Sequence, residues 1–314
     1  MVRREIKLPI KAHAWKIKLL PNFLIIGADK SGTTSIYSYL DQHPEIFMSP
    51  IKEPNFFFVE NKYEEWQYPL YSKELSKNFI WTLEDYLKLF DGVKKEKAFG
   101  EASPTYLNSA DAAKNIKRHI PNAKLIAILR NNADRIFSTY TMFVRLGHEK
   151  RAFEDALHDE IEKKATSRLY INHGYYFDRV NLYFNEFNRD QLRIYLYEDL
   201  KNRQMWLLED MFKFIGVDHT FEPDISKAHN VTPKMAVNSK MSTLLEGQNT
   251  IISNLKSYLP SKLKKVLKTY IYKKFYKKPQ LSEDTRKKLV EIYREDIINL
   301  QTLIRRDLSP WLKI

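Results

Sequence analysis

Residues Asn22 to Leu40 read "NFLIIGADKSGTTSIYSYL". The apolar run Phe23 to Ile26 leads into a loop bounded by Gly27 and Gly32, and hydroxyl-bearing residues open the stretch beyond. An unbroken apolar run of this length suits a strand covered on both faces, as in a parallel sheet. A parallel strand that feeds a helix through a glycine turn aims backbone N–H groups and the positive end of the helix dipole at one point. Gly27 and Gly32 allow the tight path. Ser31, Thr33, Thr34 and Ser35 offer hydroxyl and backbone donors, and Lys30 adds a point charge. The expectation is an anion cradle of the kind that holds a 5′-phosphate.

The spacing opposes the usual nucleoside triphosphate loop. That loop, G-x-x-x-x-G-K-[ST], carries its lysine directly after the second glycine. Here Thr33 stands in that place and the lysine lies inside the loop. A magnesium-dependent NTPase also wants an acid near the end of a neighbouring strand. The next buried-strand candidate, "KLIAILR", ends in Arg130 instead. An arginine there repels Mg²⁺ and attracts phosphate. The site reads as one that works with protein cations and no metal, and a P-loop kinase or NTPase is the alternative.

Working outward, "KAFGEAS", "KLIAILR" and "QLRIYLYEDL" read as strands. "SGTTSIYSYLDQHP", "ADAAKNIKRHIP", "NADRIFSTYTMFVRLG", "FEDALHDEIEKKA", "YYFDRVNLYFNEF" and "RQMWLLEDMFKFIG" read as helices, the last closed by Gly216. Alternation of this kind predicts an α/β, P-loop-like three-layer fold: a central parallel sheet flanked by helices, with a helical C-terminal region. Residues 1–21 read as a basic arm, and 22–314 as a single domain. Trp311, in the tail after the last helix, is expected to pack into the body.

The 314 residues are 43% hydrophobic, enough for a full core. The absence of cysteine excludes disulfides, thiolate catalysis and zinc-thiolate or iron–sulfur sites. The net charge of +13 points to anionic partners. Lys7, Lys11, Lys16 and Lys18 interrupt the N-terminal apolar runs, and no run approaches the ~18–20 apolar residues of a membrane span. The expected location is the cytoplasm. Nine lysines and no acid lie between Lys256 and Lys278, with apolar residues at helical spacing. This is a basic amphipathic helix that either contacts an anionic membrane or polymer or packs as a plain surface helix.

Two further groups carry chemistry. In "LRNNADRIFSTY", Arg130 at a strand end and Ser138 in the next helix suit a second phosphate, through guanidinium fork and hydroxyl. In "SPIKEPNFFF", Glu53 stands beside an apolar wall, where partial desolvation raises a carboxyl pKa and suits it to general-base work. Glu101 reads as a second strand-end carboxylate steering the acceptor or Lys30. Tyr175 and Tyr176 are candidate lining residues of an acceptor cleft. His43, ahead of Pro44, reads as a structural helix-end signal.

These pieces, in this order, resemble the sulfotransferase superfamily that uses 3′-phosphoadenosine 5′-phosphosulfate (PAPS), in its heparan-sulfate-type and bacterial branch. "IIGADKSGTTSIYSYLDQHPEI" is similar to that family's 5′-phosphosulfate loop, and "LIAILRNNADRIFSTY" to its 3′-phosphate motif. "KEPNFFF", "GEASPTYL", "GYYFDRVNLYFNEF", "IYLYEDL" and "DLSPWL" resemble further family segments, so the likeness runs from about Asn22 to Leu312. It implies in-line transfer of a sulfonyl group to a hydroxyl or amine of a carbohydrate or lipid-linked sugar, without metal and without nucleic acid as partner. Glu53 would be the base, Lys30 would stabilise the leaving group, Ser31 to Ser35 would hold the 5′-phosphate, and Arg130 with Ser138 the 3′-phosphate. The loop "SKAHNVTPK" resembles the family loop that closes over the nucleotide, which makes Lys227, Asn230 and Lys234 donor-binding candidates. The chain departs from the O-sulfotransferase branch at Asn55, where histidine is common, at Ala102, where lysine is common, and at Asn131–Asn132, where Asp-Pro is frequent. Those departures bear on the acceptor and leave the donor residues intact. A non-enzymatic anion or nucleic-acid binding module, resting on net charge, leaves Glu53 beside the phosphate loop unexplained.

Overall fold

The computed structural model describes residues 19–60, 76–162, 169–226 and 280–314, together with two short strands at 235–236 and 276–277. Strands β1 (Phe23–Gly27), β2 (Ile46–Met48), β3 (Ala98–Ala102), β4 (Lys124–Leu129) and β5 (Leu192–Leu196) form a parallel sheet in the order β2-β3-β1-β4-β5. The helices are α1 (Thr33–Leu40), α2 (Phe56–Val59), α3 (Leu83–Lys88), α4 (Ala110–His119), α5 (Asn132–Arg145), α6 (Phe153–Ile161), α7 (Leu169–Gly174), α8 (Phe177–Glu186), α9 (Tyr197–Asn202), α10 (Gln204–Ile215) and α11 (Glu283–Ile304).

The continuous apolar runs are explained by two cores, one on each face of the sheet. Successive strand residues point to opposite faces. Leu24, Ile26, Leu125 and Ala127 therefore enter the core under α4, α5, α8 and α11, while Phe23, Ile25, Ile126 and Ile128 enter the core under α1 and α10. Helix ends follow local chemistry. Ser109, Asn131 and Ser282 cap α4, α5 and α11 through their side chains, and Gly216 closes α10 in the left-handed region. Asp296 on α11 accepts the N–H groups of Tyr176 and Phe177, so the long C-terminal helix caps α8. Trp311 is buried, as the sequence led us to expect, and takes a hydrogen bond from Asn131 on its carbonyl (3.3 Å) while giving one to Glu198 (3.2 Å).

One expectation needs correction, and one strand went unread. The strand read through "QLRIYLYEDL" ends at Leu196, because the Asp199 carboxylate turns back onto the Leu196 N–H (3.0 Å) and starts α9 at Tyr197. β2, at Ile46–Met48, was not read as a strand, since three residues carry no periodicity. Of the basic segment 256–278, only Tyr276–Lys277 falls among the described residues, and it forms a strand antiparallel to Met235–Ala236. Most of the N-terminal arm also lies outside the described residues. No helix among those described is long and apolar enough to cross a membrane.

Gly32 ends the glycine loop with φ 94°, and a Cβ there would stand 2.5 Å from Leu200 Cδ2. An L side chain is strained in that conformation even without the clash. Gly32→Ala is expected to cost about 1–3 kcal/mol of stability in urea unfolding.

Candidate active site

β1 lies between β3 and β4, where the strand order departs in two directions. Open α/β sheets bind ligands at the carboxyl ends of the strands at such a point. The loops after β1, β2, β3 and β4 carry Lys30, Glu53, Ser103 and Arg130 respectively. The α1 end offers donors: its first turn has no side-chain cap and no acid, and the first N–H groups of a helix have no acceptor within it. Ser31, Thr33 and Ser35 are buried there, and Thr34 is partly so.

Lys30 itself has φ 62°. Its Nζ lies 3.5 Å from Met142 Sδ, and its carbonyl accepts a hydrogen bond from Arg130 Nη1 at 2.9 Å. Burial lowers the Lys30 pKa, against the opposing pull of Asp29. Arg130 lies over the Tyr197 ring, 4.7 Å from its centroid, and its buried Nε has no hydrogen-bond partner among the described residues. Arg130 thus braces the lysine loop with one nitrogen and keeps donor capacity for an anion. The structure brings Lys30 and Arg130 together, although the sequence reading assigned them to two separate phosphates.

An ion pair between buried Arg135 and partly buried Asp29, which sequence reading missed, ties this loop down. Arg135, 1% exposed, donates from Nη1 to both oxygens of Asp29, at 3.0 and 3.1 Å. Burial alone would raise the Asp29 pKa; Arg135 first, then His173, Lys30 and Arg179, hold it below the ordinary carboxylate value. His173, nearby, is pushed down to about 4, chiefly by burial, and is neutral at physiological pH. On α5, Arg135, Ser138 and Met142 follow at i, i+3 and i+7, one helical face. Its two ends touch Asp29 and Lys30, and Ser138 is buried between them. The available signal was an arginine within the otherwise apolar stripe of Ala133 and Ile136.

The two carboxylates divide differently from the expectation. The apolar wall after Glu53, Phe56 and Phe57, turns into the core, while the Glu53 side chain is 46% exposed and paired with Lys52. The enclosed carboxyl is Glu101. It accepts hydrogen bonds from Ser103 (2.8 Å) and Tyr86 (3.3 Å), and burial lifts its pKa to about 7. Glu101 therefore cannot reach an acceptor directly. Tyr176 is likewise fully buried and no acceptor-lining residue: its hydroxyl donates to the Arg130 carbonyl at 3.1 Å, and its ring lies 5.7 Å from the Arg135 guanidinium. Tyr175 is 38% exposed and packs edge-on against Tyr293. His43 is structural, held between Phe212 and Phe221 and bonded to the Asp218 carbonyl at 2.7 Å. Lys227, Asn230 and Lys234 lie outside the described residues.

The positions where the chain departs from the O-sulfotransferase pattern have structural work. Asn55 (φ 52°) donates from its side chain to the Glu53 carbonyl at 2.8 Å and from its N–H to Ser103 Oγ at 3.1 Å. Asn131 caps α5, and Asn132 donates to the Gly174 carbonyl at 2.6 Å.

Comparison with known proteins agrees with this geometry. A family model described as the sulfotransferase domain matches residues 20–301. A membrane-associated sulfotransferase, kil1 of Dictyostelium discoideum, is 32% identical over 153 residues, 47% of this chain and 29% of that protein. The bifunctional heparan sulfate N-deacetylase/N-sulfotransferase 4 of Mus musculus is 26% identical over 305 residues, 94% of this chain and 31% of that protein. The chain spans about 30% of the length of these relatives. The crystal structure of a sulfotransferase from Alicyclobacillus acidocaldarius is 29% identical, with a TM-score of 0.72, covering 94% of this chain and 100% of that one.

Two outcomes follow from the charges. Arg135→Ala leaves a carboxylate in the loop without its partner and is expected to cost about 3–5 kcal/mol in chemical denaturation. A carboxyl whose folded pKa lies above its unfolded value holds its proton more tightly when folded. Glu101 thus contributes stability below about pH 4.5 and forfeits it as pH rises to about 7. Glu101→Gln should therefore gain stability relative to wild type between those values, by roughly 3 kcal/mol at most, in unfolding curves recorded across the range.

Proposed function

The chain belongs to the sulfotransferase domain family, and from that premise we propose that it transfers a sulfonyl group from PAPS to a hydroxyl or amine of a carbohydrate acceptor. The observation that carries the reading is Arg130: it is bonded to the Lys30 carbonyl while its buried Nε has no hydrogen-bond partner among the described residues. A buried guanidinium N–H without an acceptor is costly, and a phosphate oxygen beside the glycine loop would relieve it. The cradle fits an anionic nucleotide. Asp29, the one acid of the loop, is neutralised by Arg135, so the charge of Lys30 is left for the ligand.

The donor, when bound, supplies an activated sulfonyl group on a good leaving phosphate. Lys30 and the donors of residues 31–35 stabilise charge that develops on that phosphate, an arrangement preorganised by the fold. Arg130 and Ser138 hold the 3′-phosphate. Glu53, exposed at the rim, takes the acceptor's proton as general base. The names of the relatives favour a heparan-type polysaccharide as acceptor class.

Calorimetric titration with adenosine 3′,5′-bisphosphate, ATP–Mg²⁺ and adenosine 5′-phosphate tests the donor. Metal-independent binding that requires the 3′-phosphate is expected, and preference for ATP–Mg²⁺ would overturn the assignment. Arg130→Ala should weaken the bisphosphate roughly tenfold to a hundredfold and the 5′-phosphate much less. With radiolabelled PAPS and de-N-sulfated heparan as acceptor, Lys30→Ala and Glu53→Gln are each expected to lower transfer about a hundredfold or more.

A further inference from the structure

Glu101 is a buried ionisable group that the chemistry above leaves without a task. Glu101 ends β3 inside the protein. The groups that face it are the hydroxyls of Ser103, of Tyr86 on α3 and of Tyr106 on the 3₁₀ turn Pro104–Asn108, and the carboxylate of Glu53. Both tyrosines are raised well above their ordinary values, by burial first and by Glu101 second, so they remain hydrogen-bond donors.

A continuous set of hydrogen bonds leads from Glu101 to the base. The Ser103 hydroxyl gives its hydrogen to Glu101 and accepts the Asn55 N–H on a lone pair. The Asn55 side-chain amide donates to the Glu53 carbonyl, and Thr105 donates to Asn55 Oδ1. The Glu53 N–H donates to the Ala102 carbonyl at 3.1 Å. Glu53 and Asn55 both have left-handed backbones, φ 60° and 52°. Residues other than glycine hold that conformation only where their surroundings impose it. Here it is imposed by three contacts with the end of β3 and the turn that follows, the Glu53 N–H to Ala102, the Asn55 N–H to Ser103 and Thr105 to Asn55.

We propose that Glu101 is a positioning residue which, through Ser103 and Asn55, holds the loop of Glu53 in its left-handed form and couples its own charge to the geometry of that loop. The inference rests on the reading of Glu53 as the base. Ionised, Glu101 only accepts, so Ser103 must point its hydrogen inward and keep a lone pair for Asn55. Protonated, Glu101 has a hydrogen to give, and the direction of the Ser103 hydroxyl is no longer fixed. Burial sets the Glu101 transition at about 7.

The test reads Glu53 directly, so it is independent of any acceptor. Glutamate carboxyls of the full chain are isotopically labelled and titrated by NMR, with Glu53→Gln identifying the Glu53 signal. In the wild-type protein that signal should show a second inflection near pH 7, where Glu101 titrates. The inflection should vanish in Glu101→Gln. In Ser103→Ala the Asn55 amide should exchange with solvent about tenfold faster, as expected for one lost hydrogen bond. Binding of adenosine 3′,5′-bisphosphate by both variants reports an intact fold. If Glu101→Gln does not fold, Ser103→Ala carries the test alone. A Glu53 titration identical in wild type and Glu101→Gln, or an Asn55 amide that exchanges at the wild-type rate in Ser103→Ala, overturns the proposal. Full transfer activity in Glu53→Gln would instead sink the base assignment, an outcome these titrations do not produce.

Discussion

The ion pair between Asp29 and Arg135 is the constraint on which the site depends. It joins the loop after β1 to α5, which follows the neighbouring strand β4. Its desolvation is costly for both partners, and a pair of this kind persists only where geometry compensates. Both Asp29 oxygens are used, and Tyr176 covers the guanidinium. The pair fixes the face of α5 that carries Ser138 and Met142 against the glycine loop. Tyr176 also holds the Arg130 carbonyl, and Asp296 on α11 holds the Tyr176 N–H. The lysine loop, the strand-end arginine and the C-terminal helix are therefore one connected unit.

What the sequence made legible was local. Gly27, Lys30 and Gly32 lie within six consecutive residues, and their conformational and charge requirements are stated by spacing alone. Arg130 was readable for the same reason, as the residue closing an apolar run. The unread parts are long-range pairs. Asp29 and Arg135 are 106 positions apart, and Asn55 and Ser103 are 48 apart. No periodicity announces such partners, because hydrogen-bond geometry between loops depends on how the strands are ordered.

Tyr176 and Glu101 illustrate the opposite error. Glu101 was read as a strand-end carboxylate and Tyr176 as a lining residue of an acceptor cleft, both facing the substrate. The fold turns them inward, where each finds a polar partner and acts from behind the site: Tyr176 on the Arg130 carbonyl, Glu101 on Ser103. A buried hydroxyl or carboxyl is tolerated when such a partner exists. The sequence could mark these side chains as polar and near the site, but not which way they point. Glu53 is the converse. The three phenylalanines beside it suggested a desolvated carboxylate, yet their rings fill the core beneath the loop and leave Glu53 half exposed.

The distribution of charge explains why the loop can face an anion at all. Lys30 is flanked by an acid, Asp29, that would cancel much of its field in an open loop. Arg135 takes that acid away, and burial of Lys30 then favours any ligand that restores the balance. In a water-excluded pocket an oriented cation acts more strongly than in bulk solvent. Arg130, stacked on Tyr197 and bonded to the backbone of Lys30 instead of to a carboxylate, is left uncompensated in the same way. The fold thus neutralises the one negative group of the loop internally and leaves Lys30 and Arg130 with no carboxylate ion pair among the described residues.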